Sequence, residues 1–259
     1  MRRVHAFEFN ELASCPRAVR ESIVETLGLG LRWGRVLDGV GPVFADFCAR
    51  ARCAAVLDLC SGSGEPVSIL LDALARQGLQ PPRFLLSDLY PNVAAMRRVA
   101  ARHPGLVEVV DEPVDACDVP ARHDQPARTI VNALHHLPPA AAARLVADSV
   151  ARRRALFVAE GFPRSLRRMA ATLPAMLAAG AVNPWVAPRD RWQKLLVTWA
   201  TPAVAATGLW DAAVSALRMY SEAELRAMAA GANDYEWQYR EVPFFPGGRA
   251  TVFWGIPRA

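Results

Sequence analysis

Lysine is nearly absent from this chain. Lys194 is the single lysine among 30 basic residues, and arginine supplies the rest. The net charge is +5, but the arginines are scattered, with clusters only at Arg152-Arg153-Arg154 and from Arg164 to Arg168. A nucleic-acid reader gathers basic residues on one face with interleaved aromatics, so the charge does not point to that partner. Cysteine is sparse as well. Cys15, Cys48, Cys53, Cys60 and Cys117 form no CxxC pair and no zinc-ligand spacing, which predicts reduced thiols, a cytoplasmic protein and no metal centre. Heptads, collagen triplets and solenoid-length repeats are missing. The opening stretch starts basic, but Glu8, Asn10 and Glu11 interrupt the apolar core that a signal peptide needs. Residues 169–188 carry no charge over a length that could cross a bilayer. They contain Pro174, Gly180, Asn183, Pro184 and Pro188, and breakers at that density argue against a span. A second uncharged run, residues 195–210, is too short and holds Pro202. Both runs are expected to be buried or lid-forming.

What remains is a chain of 259 residues, 53% hydrophobic, which can bury a full core without disulfides or metals. Pro16 to Leu27 predicts a helix that Ser14 can cap and Gly28 can end. A second helix is expected from Val36 to Ala51, where Val40, Val43, Phe44 and Phe47 recur at helical spacing. The texture then changes. Five apolar runs, around residues 54–59, 84–88, 106–110, 129–132 and 155–159, alternate with helical stretches. Continuous apolar strands separated by helices predict a parallel sheet covered on both faces, a doubly wound α/β fold. Residues 162–220 read as a helical, proline-broken insert whose tryptophans (Trp185, Trp192, Trp199, Trp210) suit a core. Ser221-Glu222-Ala223-Glu224 is a capping box. Two final strands, Tyr235 to Val242 and Thr251 to Ile256, joined by Pro246-Gly247-Gly248, predict an antiparallel pair at the sheet edge. The expected divisions are a helical cover (1–52), a nucleotide-type core (53–161), a substrate lid (162–220) and a closing helix-strand unit (221–259).

In such a sheet the ligand sits beyond the carboxyl ends of the strands. The turn Asp58-Leu59-Cys60-Ser61-Gly62-Ser63-Gly64 offers small residues for close backbone approach and leads into a helix N-terminus with free amides. It is neither a phosphate-binding GxxxxGK loop nor a GxGxxG fingerprint. Asp88, ending the second strand, stands where an acidic side chain binds ribose hydroxyls. Asp115-Ala116 follows the third strand and could meet a base.

Four segments carry a resemblance. VLDLCSGSG, LLSDLYPN, VDACDVP and TIVNALHHL resemble the motifs of class I S-adenosylmethionine-dependent methyltransferases, and with the terminal strands the resemblance spans most of the chain. Cys60 departs from it, standing where the family often has its first glycine. The resemblance implies a seven-stranded Rossmann-like sheet of order 3-2-1-4-5-7-6 with strand seven antiparallel. It implies S-adenosylmethionine as cofactor and S-adenosylhomocysteine as product. Asp58 would orient the loop and help hold the methionine ammonium, and the backbone of Cys60 to Gly64 would line the cofactor. Asp88 would bind the ribose, Leu89 would pack on adenine, and Asp115 and Ala116 would meet its edge. Asn132 would sit below the methionine carboxylate or the substrate.

His135 and His136, on the rim after the fourth strand, are candidate bases or helix caps; Glu160 is a second candidate base or an amine-binding group. Trp33 on the N-terminal cover, Arg218 and Tyr220 are candidate substrate contacts, with Arg218 alternatively pairing with Asp211. The expectation is methyl transfer to an oxygen, nitrogen or sulfur of a small molecule, because a lid and a cover would enclose the site. Other readings are a different reaction at the sulfonium, an RNA or protein methyltransferase, and a non-catalytic cofactor-binding regulator.

Overall fold

A computed structural model describes residues 2–186, 190–244 and 247–258. Seven strands form one sheet: β1 (Ala55–Asp58), β2 (Arg83–Leu86), β3 (Val107–Val109), β4 (Ala127–Val131), β5 (Ala155–Glu160), β6 (Tyr235–Phe244) and β7 (Gly248–Pro257). Their order is β3-β2-β1-β4-β5-β7-β6. The first five pair in parallel, and β7 runs antiparallel to both β5 and β6. The expected order and edge hairpin are therefore present; Pro246 of the expected turn lies outside the described residues. Every residue of β4 and β5 is buried, as continuous apolar runs require when both sheet faces are covered.

Two cores flank the sheet. One gathers Phe44 and Phe47 of α2 (Val40–Ala51), Leu70 and Leu74 of α3 (Glu65–Arg76), and Phe84, Phe157 and Trp254 of the sheet. The other packs Leu145 and Val146 of α5 (Pro139–Ala151) and Leu225 of α9 (Glu222–Met228) against Leu57, Ile130 and Val158. Successive β residues thus serve opposite cores. The capping box is formed: Ser221 N–H donates to Glu224 Oε2 at 2.7 Å, and Glu224 N–H donates to Ser221 Oγ at 3.4 Å. Helix α4 (Val93–Arg102) is capped by Asn92, whose side-chain oxygen accepts from the Ala95 N–H.

The covering layer departs from expectation. Helix α1 runs Arg17–Trp33, through Gly28 instead of stopping there, and Ser14 makes no cap. Packing outweighs the glycine stop signal: a Cβ on Gly30 would collide with the Met176 sulfur of α6 (Leu166–Val186). Similarly, α2 begins at Val40, and Val36 and Leu37 are buried in the turn before it. The lid continues through α7 (Arg191–Leu195), a π-helical turn at Leu196–Ala200, and α8 (Ala203–Arg218). Pro174 and Pro184 lie within α6, while Pro188 falls outside the described residues. The described residues contain no helix long and apolar enough to cross a membrane. The lid tryptophans are not core. Trp192 is 81% exposed and Trp199 61%. Lys194 anchors the lid to α1: it is fully buried and its Nζ donates to Glu25 Oε1 at 2.7 Å.

Candidate active site

The loop after β1 is built around a buried carboxylate. Asp58 closes β1, and both its oxygens accept from hydroxyls, Oδ1 from Thr129 Oγ1 at 2.8 Å and Oδ2 from Ser61 Oγ at 2.6 Å. Burial pushes its pKa up to about 7, with help from the charge of Asp88, although the two hydroxyls pull the other way. The folded protein therefore keeps a proton that the unfolded chain releases. That contribution is complete below the ordinary aspartate value near pH 4 and is lost as pH rises to about 7. Against Asp58→Asn, which does not titrate, the wild type is expected to lose ~4 kcal/mol of relative stability between those limits. Urea unfolding of both proteins across that range checks it, and a parallel pair of curves refutes it.

Three positive φ values shape the bend: Cys60 at 58°, Gly62 at 55° and Gly64 at 76°. A Cβ on Gly64 would stand 2.7 Å from Leu86 Cδ1 and 3.3 Å from Val99 Cγ2. Gly64→Ala combines left-handed strain with overpacking and is expected to cost ~2–4 kcal/mol, read from the denaturant midpoint. At Gly62 an added Cβ meets nothing within 4 Å, so the backbone there is bare. Cys60 carries a thiol that burial and the nearby Asp88 and Asp58 push up to about 12, leaving it unreactive at neutral pH. Asp88 follows β2, and its Oδ2 accepts the Gly62 N–H at 2.8 Å while Oδ1 accepts that of Tyr90 at 2.8 Å. The second-strand acid and the glycine bend are thus adjacent.

The other expected cofactor contacts are placed unevenly. Asn132, at φ 56°, ends β4 and accepts the Gly161 N–H through Oδ1 at 3.2 Å. Asp115 accepts the Cys117 N–H at 2.8 Å, and Ala116 is buried in the core under α5. Neither these two nor Leu89, which is 44% exposed, lines the main cavity; Tyr90 does. Asp58, Gly64 and Glu160 support that cavity from behind.

The cavity has a volume of about 770 Å³. Cys60 to Ser63, Asp88 and Tyr90 line one end; His135 and His136, with Glu8, Glu11 and Asp211, line another, and α1, α6 and α8 supply apolar walls. His135 is 3% exposed on a short turn after β4. Its backbone N–H donates to Glu160 Oε1 at 3.0 Å and its Nδ1–H donates to Oε2 at 2.8 Å. Both carboxylate oxygens thus accept from one histidine, fixing its ring and leaving Nε2 without a hydrogen-bond partner among the described residues. Glu160 is the partner of His135 and does not line the cavity. His136 differs. Burial works to lower its pKa, but the hydrogen bond to Glu11 and the charges of Glu8, Glu11 and Glu160 raise it above the ordinary value. An upward shift makes His136 slower to release its proton than an ordinary imidazole, and its Nδ1 is already engaged by Glu11 at 2.8 Å.

The expected substrate contacts need correction. Arg218 does not line the cavity, and its ion pairs are not with Asp211: it is 1% exposed, donates to Glu11 Oε1 and Oε2 at 2.6 and 2.7 Å and to the Ala6 carbonyl, and sits 3.2 Å from Glu8. Tyr220 is buried, its hydroxyl donating to the Leu137 carbonyl at 2.7 Å with the Arg3 guanidinium over its ring. Trp33 is 51% exposed and lies off the cavity. Asp211 instead accepts the Phe9 and Asn10 N–H groups at 2.6 and 3.1 Å, holding the N-terminal strap across α8. Glu8 and Glu11 are the residues that sequence reading missed. Their spacing across one turn was the available signal, but their partners lie more than 200 residues away. Glu8, His135 and His136 also bring ligand-type atoms within 4.8 Å of one another, yet Arg218 already supplies the cation that Glu8 faces.

Sheet order, bend and acid together decide the fold. No family model matches the chain, and no curated protein matches it. Solved structures do. The O-methyltransferase NcsB1 from neocarzinostatin biosynthesis, in complex with S-adenosylmethionine and 2-hydroxy-5-methyl naphthoic acid, superposes with a TM-score of 0.51 at 16% identity, over 93% of this chain and 58% of its own. This chain has the class I methyltransferase fold. The mitomycin 7-O-methyltransferase MmcR matches at 18% identity over 93% of this chain and 55% of its own, with a TM-score of 0.48. An O-methyltransferase family protein from Burkholderia thailandensis matches at 16% over 88% and 59%, with a TM-score of 0.46. The chain spans less than two thirds of the length of each of these methyltransferases.

The site fits a nucleoside cofactor of that fold on its own features. Gly62 leaves its backbone bare toward open space, Asp88 presents a carboxylate beside it, and both line one cavity that continues to His135.

Proposed function

We propose that this protein is an S-adenosylmethionine-dependent methyltransferase acting on a hydroxyl group of a small molecule. The observation that carries the reading is the His135–Glu160 pair, which opens onto the cavity that also holds the glycine bend and Asp88. S-Adenosylmethionine, when bound, supplies an activated methyl group and leaves as S-adenosylhomocysteine. Cys60 to Gly64 would lie along it, Asp88 would accept from its ribose hydroxyls, and Asn132 would mark the boundary between cofactor and acceptor. The protein's work is then alignment in a dry cavity and removal of one proton. Nε2 of His135 takes the proton of the acceptor hydroxyl as the oxygen takes the methyl group. Glu160 holds the ring by two hydrogen bonds and balances the imidazolium that results. A base is needed for a hydroxyl and superfluous for a thioether or tertiary amine, which favours oxygen as the accepting atom. The neighbour NcsB1 comes from neocarzinostatin biosynthesis, and a comparable small-molecule role in a secondary pathway suits an enclosed cavity. The test is incubation with cofactor carrying a labelled methyl group and a metabolite extract, followed by mass analysis. Label in a methyl ether is the expected result; label confined to RNA or protein, or methylthioadenosine as product, overturns it.

A further inference from the structure

The charge of the cavity is as one-sided as its walls are apolar. Its sides include Leu27 and Leu31 of α1, Met176 of α6 and Leu209 of α8. Beside His135 the polar lining is carboxylate, from Glu8, Glu11 and Asp211, and among the described residues no lysine or arginine lines the cavity. Arg218 stands behind this lining with all three guanidinium nitrogens engaged: Nε and Nη2 donate to the Ala6 carbonyl, at 3.0 and 2.5 Å, and both Nη groups donate to Glu11. Asp211 is matched by N–H groups and by no cation: Phe9 N at 2.6 Å, Asn10 N at 3.1 Å and Asn10 Nδ2 at 2.9 Å. Ser215 and Asn10 likewise satisfy Glu8 with neutral donors, at 2.7 and 3.0 Å. These hydrogen bonds hold the carboxylates in place without cancelling their charge. Three carboxylates therefore face one guanidinium and the His136 ring, which at most offsets one more charge, and this leaves an excess of negative charge in apolar surroundings. An incoming anion would be repelled there and would find no free cation to pair with, and such unpaired like charge is how sites reject a wrong ligand.

Resting on the methyl-transfer reading of this cavity, we infer that its acceptor carries no acidic group: it is an apolar hydroxylated molecule, either neutral or bearing a protonated amine. The strap from Ala6 to Glu11, by delivering two of the three carboxylates, is the specificity element. The test is calorimetric titration of the full chain, saturated with S-adenosylhomocysteine, using a naphthol, the same naphthol with a remote carboxylate and the same naphthol with a remote aminomethyl group. The naphthol and the amine are expected to bind, and the carboxylate to bind at least about tenfold more weakly. In Glu11→Gln, where Arg218 loses one of its two carboxylate partners and keeps Glu8, that gap is expected to narrow while affinity for S-adenosylhomocysteine is unchanged. Equal or tighter binding of the carboxylate by the wild type overturns the inference. So does an undiminished gap in Glu11→Gln, or failure of all three probes to bind the saturated protein. Failure of S-adenosylhomocysteine itself to bind would instead refute the methyl-transfer reading.

Discussion

Replacing His135 with asparagine is expected to lower kcat by about 10²–10⁴-fold, the range that a positioned base contributes. On the proposed reading, affinity for S-adenosylhomocysteine should be unchanged, because the His135 side chain hydrogen-bonds Glu160 and makes no contact with the glycine bend. The expectation follows from the pairing with Glu160, which occupies Nδ1 and leaves Nε2 toward the cavity. Glu160→Gln should act through the same histidine. It removes the charge that stabilises the imidazolium, so the pH profile of kcat should shift along with its height. The measurement is turnover of the acceptor identified by methyl labelling, beside calorimetry with the product. If His135→Asn retains wild-type kcat, the base assignment is wrong. His136→Asn provides the contrast: its ring is held by Glu11, and it should alter the strap more than the chemical step.

Replacement of Asp88 by alanine should weaken S-adenosylhomocysteine binding by about 10²-fold. Two hydrogen bonds from ribose hydroxyls to a carboxylate are worth ~1.5 kcal/mol or more each, and ~1.4 kcal/mol is a factor of ten in affinity. Some of the loss would come from the bend itself, because Asp88 also holds the Gly62 N–H. Asp88→Asn separates the two contributions, since its amide oxygen can still accept from Gly62. Calorimetry reads both variants, and near-native affinity in Asp88→Ala would remove the ribose-binding role.

What could be read from the chain alone was whatever its local pattern records. β1 to β5 are short apolar runs between helical periods, and the small-residue bend and the acid at Asp88 sit at their carboxyl ends. Asp88 and Gly62 are 26 residues apart yet hydrogen-bonded, as sheet order requires once β1 and β2 are neighbours. The covering layer followed different rules. Gly28 carries the local signature of a helix stop, but the helix runs on: an added Cβ there would stand 3.3 Å from Glu65 of α3, and one on Gly30 would strike Met176 of α6, close packing that no local pattern encodes. Arg218 appeared free to meet a substrate because its partners, Glu8 and Glu11, come from the opposite end of the chain. The tryptophans of residues 185–210 suggested a core by their apolar bulk, yet helix packing left them facing outward. His135 and Glu160 were each visible at strand ends; that one grips the other became clear only from the register of β4 beside β5.

The solitary lysine has a practical consequence. Lys194 is wholly enclosed and tied to Glu25 on α1, so acylating reagents meet no accessible side-chain amine on the folded chain. Mass gained at that one peptide would time the lifting of α7 from its seat on α1, giving an intrinsic stopwatch for that motion without any engineered label.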